Sequence, residues 1–126
     1  MKFRTPISQA KGLGSAKEGT GTWLAARVSS AALVPLTLWF VIALIGHAGE
    51  SYEVVRDWAA APFNAVMLIL LIGTTAYHAQ LGVQVIFEDY IPSEGTRIII
   101  NTAIKFLAYL LAAIGIFAVL KIAFGG

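Results

Sequence analysis

His78 stands in a stretch from Ala59 to Phe87 that holds no Asp, Glu, Lys or Arg. A neutral imidazole in such surroundings has two uses. It can hydrogen-bond a neighbouring helix, or it can serve as an axial ligand to haem iron. Gly82 follows four residues later, on the same helical face. A small residue there leaves room for a flat macrocycle or for a closely packed helix. Asp89 and Tyr90 follow His78 by eleven and twelve residues. On a helix, eleven residues turn through about 1100°, three turns plus about 20°, and rise about 16 Å. Asp89 therefore lies over His78 on nearly the same face. A carboxylate and a phenolic hydroxyl at the surface end of an apolar helix suit hydrogen bonding and proton delivery to a quinone carbonyl. They equally suit an interfacial belt, where tyrosine is enriched and acids flank a span.

The other polar residues have more modest readings. His47, the only other histidine, lies at the far end of the preceding apolar run. Its depth differs from that of His78 by roughly 20 Å at 1.5 Å per residue, so the two cannot ligate one iron. His47 reads as an interfacial polar residue. A haem on His78 takes its second ligand from another chain or remains five-coordinate. Arg27, followed by Ser29 and Ser30, opens the first apolar run. It is a snorkelling anchor, or a cation for a haem propionate or a quinone oxygen. Gln80 and Gln84 share a helical face, and contact with another helix is their default role. Lys105 is within snorkelling reach of the surface. Gly12-Leu13-Gly14 starts a phosphate-loop pattern but follows no strand and lacks the third glycine.

These residues need long apolar elements to position them, and the composition supplies little else. Of 126 residues, 58% are hydrophobic and 13% charged; a soluble domain carries about 25% charged residues. A soluble globular fold is therefore excluded. With no cysteine, disulfides, thiolate metal sites, iron–sulfur ligation, covalent c-type haem and cysteine nucleophiles are excluded together. The net charge of +2 includes no basic run of the kind that binds nucleic acid. Three runs are long and apolar enough to cross a hydrocarbon core of about 30 Å: Val28–Gly49, Ala59–Phe87 and Ile98–Leu120, the last interrupted only by Lys105. The expected fold is all-α, with three transmembrane helices at about 24–48, 60–88 and 97–123, preceded by a polar N-terminal segment, 1–22. Pro35 should kink the first helix. Pro62 suits the first turn of the second, and Gly115 offers a point of close helix approach in the third.

Orientation follows from Lys2, Arg4, Lys11, Lys17, Arg27 and Arg97, which lie on one side of the three spans. The positive-inside rule puts that side, with Asp89 and Tyr90, in the cytoplasm or matrix. The acidic loop 50–58 and the C-terminus face the other way. No apolar run follows within the first twenty residues, so a cleavable signal peptide is not expected. Glu18 is the only acid before residue 50, which also suits a transit peptide.

Three spans, Arg27-Val28-Ser29-Ser30 opening the first, and His78-Ala79-Gln80-Leu81-Gly82 followed by Asp89-Tyr90 together resemble the small hydrophobic membrane-anchor subunit of succinate dehydrogenase, respiratory complex II. The segment Gly12-Leu13-Gly14-Ser15-Ala16-Lys17-Glu18-Gly19-Thr20 is similar to alphaproteobacterial versions. The resemblance implies half of a heterodimeric anchor in the bacterial inner membrane, paired with a second three-helix chain, the cytochrome b subunit. It implies a b-type haem between the two, each giving one histidine. It further implies attachment of the iron–sulfur and flavoprotein subunits, and passage of electrons from succinate oxidation to ubiquinone. By resemblance His78 is the haem-iron ligand and Tyr90 a quinone hydrogen-bond partner. Asp89 becomes a quinone-site or proton-path residue, and Arg27 a haem-propionate or quinone-site cation. The partners are then these three subunits and membrane lipid, with no nucleic acid.

Other readings compete. A haem-free anchor of a fumarate reductase would bind quinol with the same helices and use His78 for packing. A purely structural assembly subunit would bind neither. A small transporter would need a membrane-embedded carboxylate, and all seven acids lie outside the uncharged runs.

Overall fold

The computed structural model describes residues 13–125, with side chains from residue 21 onward. Most of the N-terminal segment 1–22, including Lys2, Arg4 and Lys11, therefore lies outside the described residues, as do the side chain of Lys17 and Gly126. Four helices follow in order: α1 (Leu13–Gly46), α2 (Tyr52–Ala60), α3 (Pro62–Tyr90) and α4 (Glu94–Ala123). No strand occurs among the described residues. Three segments are long and apolar enough to span a membrane: Gly21–Gly46, Pro62–Tyr90 and Glu94–Ala123. The chain is an all-α membrane protein.

Local chemistry explains most boundaries. Pro62 stands in the first turn of α3, where its missing N–H leaves no hydrogen bond unmade. Pro92 follows the end of α3. Ser93 then caps α4 by accepting from the Thr96 N–H at 3.4 Å, and Glu94 adds a negative charge in the first turn. α1 starts well before residue 24. No proline interrupts residues 13–34, so the helix continues back through several glycines. Pro35 lies inside α1, and the helix continues on both sides of it.

The acidic loop expected over 50–58 is instead mostly helix. Ser51 caps α2 by accepting from the Val54 N–H at 3.3 Å, and Glu53 sits in the first turn. No Gly or Pro lies between Tyr52 and Ala61, so nothing breaks the segment. A search for long apolar runs overlooks an element this short and amphipathic.

The helices form an open row. α3 packs against α1 on one side and α4 on the other, and among the described residues α1 and α4 do not meet. α2 lies against α3 and α4 at the end where α1 finishes. On the α4 side, Gly115 permits the close approach: a Cβ built there would stand 3.2 Å from Cγ2 of Ile72. Only Leu36, Ala65, Leu81 and Val119 form a buried apolar core among the described residues, joined by buried Ser29 and Gln80. In water so small a core would not hold three long helices. Lipid, or a second set of helices, is the environment this row requires.

Candidate functional site

His78 is held from across the α1–α3 contact. Its Nδ1 lies 2.8 Å from Oγ of Ser29, and the Ser29 hydroxyl donates to the Ala26 carbonyl of its own helix at 3.0 Å. With its single hydrogen so used, Ser29 accepts from His78. The proton then sits on Nδ1, and Nε2 carries the free lone pair. A partner on one ring nitrogen that fixes the tautomer and aims the other is the arrangement found around metal-bound histidines. Ser29 is 5% exposed, so water does not compete for the bond. The sequence shows Ser29 two residues after Arg27 but does not reveal its role. The pairing joins residues 49 apart, and only its depth, close to that of His78, hints at it.

The Ser29–His78 bond sets the register of antiparallel α1 and α3. Counted from it, Arg27 stands level with Gln80, nine residues, or about 13 Å, short of Asp89. The structure therefore groups Arg27 with His78 and separates it from Asp89 and Tyr90. The Arg27 guanidinium lies 5.2 Å from the ring centroid of Trp23, one turn earlier. The contact draws the charge along α1 toward the surface. Beside Ser29 opens a groove of about 560 Å³ between α1 and α3, lined largely by small residues, among them Gly21, Ala25, Ala32 and Gly73. Gly82, one turn beyond His78, has open space where a Cβ would be.

Asp89 and Tyr90 occupy the last turn of α3. Both are exposed, and Tyr90 is 80% exposed. Neither side chain makes a hydrogen bond to another described residue.

His47 lies in the opposite half. Its Nδ1 donates to the Ala43 carbonyl at 2.8 Å, and its ring centroid stands 5.3 Å from that of Trp58. Trp58 also stacks on Trp39, with centroids 5.6 Å apart and planes at 23°. His47 and His78 thus do not share a site.

Gln80 is buried at the α3–α4 groove, and Gln80 and Gln84 also hydrogen-bond along α3. Gln80 Nε2 donates to Oε1 of Gln84 at 2.7 Å, and Gln84 Nε2 donates to Oε1 of Glu88 at 3.0 Å. At four-residue spacing, side chains on one face meet each other before they reach a neighbour. Among the described residues, no three His, Asp or Glu side chains gather as they would around a metal ion. A haem iron needs only one ligand from this chain.

Comparison with known proteins agrees with this architecture. Residues 1–114 match the family of succinate dehydrogenase/fumarate reductase transmembrane subunits. A succinate dehydrogenase hydrophobic membrane anchor subunit from Rickettsia bellii is 33% identical over 108 residues, 86% of each chain. The protein of the same description from Paracoccus denitrificans is 36% identical over 97 residues, 77% of this chain and 74% of the relative. One from Rickettsia conorii is 34% identical over 90 residues, 71% of each.

Proposed function

The chain belongs to the succinate dehydrogenase/fumarate reductase transmembrane subunit family, and from that premise we propose that it is one half of a two-subunit membrane anchor that holds a b-type haem through His78 and reduces ubiquinone beside Asp89 and Tyr90. The partners in this reading are a cytochrome b subunit beside the open row and the iron–sulfur and flavoprotein subunits at the Tyr90 end. The positive-inside rule, applied to Arg27 and Arg97 and to the basic N-terminal segment, puts that end in the cytoplasm of a bacterium.

The observation that carries the haem reading is the Ser29–His78 bond at 2.8 Å. It leaves Nε2 unprotonated and fixes the ring. The same bond would serve a packing histidine, so the haem reading also draws on what surrounds the free Nε2. Two nearby features fit the group: open space at Gly82, one turn on, and an exposed arginine at the depth of His78. Arg27 is a costly charge in lipid alone and suits a propionate. When bound, haem supplies a one-electron store between the two subunits.

The remaining work falls to this chain's own side chains at the other end of α3. Tyr90 is exposed and makes no side-chain hydrogen bond among the described residues, so its hydroxyl is available to donate to a quinone carbonyl. Asp89, one residue earlier, can accept a proton from water and pass it toward the same oxygen. Reduction of a quinone to a quinol takes two electrons and two protons. The electrons arrive through the iron–sulfur subunit, and the protons come from the aqueous side nearby.

The test is a reduced-minus-oxidised absorption spectrum of the purified complex. A low-spin b-type band is expected, lost or altered by His78→Ala and retained in His47→Ala. A wild-type complex with no such band would leave the haem-free quinol anchor as the reading.

A further inference from the structure

Helix α2 is short, Tyr52–Ala60, and none of its residues is buried. It mixes three charges, Glu53, Arg56 and Asp57, with Val54, Val55 and Trp58. At about 100° per residue these sort into two arcs. Going round the helix from Trp58, Val54 lies at about 40°, Asp57 at about 100°, Glu53 at about 140° and Arg56 at about 200°. Tyr52 follows at about 240° and Val55 at about 300°. Val54, Trp58 and Val55 therefore form an apolar arc, and the three charges lie together away from it.

The fold fixes which way each arc points. α2 sits where α1 ends at Gly46, α3 begins at Pro62 and α4 ends at Ala123. It packs there against α3 and α4. Gly49, with a φ of 83°, takes the left-handed conformation that turns the chain out of α1. Ala61 alone separates α2 from α3, and its extended backbone, with ψ at 135°, keeps the two from forming one straight helix. Trp58 gives the direction. Its ring stacks on Trp39, with centroids 5.6 Å apart, and Trp39 lies about 10 Å of helical rise inside the end of α1. The Trp58 side of α2 thus points into the bilayer, and the charged arc points out to water.

The protein does not use up the apolar arc. Val54 is 43% exposed and Val55 37%, and Tyr52, at the edge between the arcs, is 73% exposed. Two valines and a tyrosine offer far less than the about 800 Å² per partner of a specific protein contact. Lipid needs no separate patch, because the spans at this end already present exposed apolar rings, Phe63 of α3 and Phe124 after α4. A tyrosine between an apolar and a charged surface is what an interfacial belt requires.

We propose that α2 is an interfacial helix that binds the surface of the bilayer. Val54 and Val55 rest in the boundary between headgroups and acyl chains, Tyr52 stands at headgroup level, and Glu53 and Asp57 face water. Such a helix binds through the apolar area it buries in that boundary. Trp58 ties the apolar arc to the rings of α1, so α2 sets how deep this end of the row sits. This placement does not depend on what binds at His78 or Tyr90.

Single-cysteine accessibility in the assembled complex tests this. The chain has no cysteine of its own, so a gel shift of this chain reports the introduced site alone. Native membranes are sonicated with the reagent present, so that it reaches both faces whatever the orientation. With a polyethylene-glycol maleimide, which stays in water, Glu53→Cys and Asp57→Cys should react several-fold faster than Val54→Cys and Val55→Cys. With a lipid-soluble maleimide, Val54→Cys and Val55→Cys should react readily. Equal reaction of all four with the water-bound reagent would overturn the proposal and put the apolar arc in water. Failure of Val54→Cys and Val55→Cys to react with either reagent would also overturn it, since protein would then cover the arc. Cysteine is close to valine in volume and both positions are open, so the variants should assemble; either position alone decides the matter.

Discussion

The two ends of this helix row treat their polar groups in opposite ways. At the Trp58 end the chain completes itself. His47 donates to Ala43 one turn back in its own helix, the Asn64 amide donates to the Trp58 carbonyl at 2.9 Å, and Trp39, Trp58 and His47 pack ring to ring. At the Tyr90 end the chain remains open. Tyr90 is 80% exposed, Arg97 Nε and Asn101 Oδ1 are unpartnered among the described residues, and His78 turns one ring nitrogen to Ser29. Each half has one histidine, yet only His78 is positioned by the fold. His47 would find Ala43 in any helix of this sequence, whereas His78 finds Ser29 only because α1 and α3 pack in one register. A closed end holds its own fold together; an open end leaves polar groups available to whatever binds there.

The sharpest way to break this contrast is to remove each imidazole in turn. His78→Ala should abolish the low-spin haem spectrum or change its ligation, read on the purified complex, because the axial ligand is a main determinant of both. His47→Ala should leave the spectrum in place. Equal effects from the two variants would mean that the halves are not functionally distinct.

Tyr90→Phe comes next in size. It removes one hydroxyl from an exposed position, so folding should hold. A neutral hydrogen bond contributes about 0.5–1.5 kcal/mol net, and more where it strengthens as charge develops on the quinone. Quinone reductase activity should fall several-fold while succinate oxidation by a soluble dye persists. Full quinone activity in this variant would reduce Tyr90 to a belt residue.

Ser29→Ala sharpens the comparison without touching the ligand itself. The His78 ring loses the acceptor that fixes its tautomer. Outer-shell partners of this kind alter metal affinity by about 10–100-fold when removed. Lower haem retention and a shifted midpoint potential are expected, with Ser29→Thr restoring much of both. A potential unchanged in Ser29→Ala would show that the 2.8 Å bond does not orient the ligand.

The smallest effect belongs to the closed end. Trp58→Ala removes two ring–ring contacts, each worth about 0.5–1.5 kcal/mol beyond area burial. The complex should dissociate at a temperature a few degrees lower, with haem spectrum and quinone activity intact. Loss of quinone activity at constant assembly would mean that the two ends are coupled.

Much of this architecture is legible in the sequence because its signals are local. An uncharged run such as Ala59–Phe87 reports a membrane span through composition alone, and Pro62, Pro92 and Ser93 punctuate the helices through their own backbone chemistry. Gly115 marks a close approach by its size alone, and the structure supplies Ile72 as its neighbour. Other features are harder to read. Helix α2 lacks the length and apolarity that make a span recognisable. The glutamines suit contact with another helix, which buried Gln80 makes at the α3–α4 groove, but their bond to each other along α3 is not announced.

By itself the sequence determined that the chain spans a membrane three times, and that His78, Asp89 and Tyr90 follow one another along one helix at a spacing the α-helical repeat alone sets. Tertiary structure alone decided that α3 stands between α1 and α4, that Ser29 meets His78, and that Arg27 sits at the depth of His78, about 13 Å short of Asp89 by helical rise. The physical reason is that hydrophobicity places a helix in the bilayer without choosing its neighbour. Lipid is as apolar as leucine, so the choice falls to small residues that let backbones approach and to polar groups that find each other across the contact. Those matches join positions 43 and 49 residues apart, as Gly115 with Ile72 and Ser29 with His78 show, and no local pattern in the chain announces them.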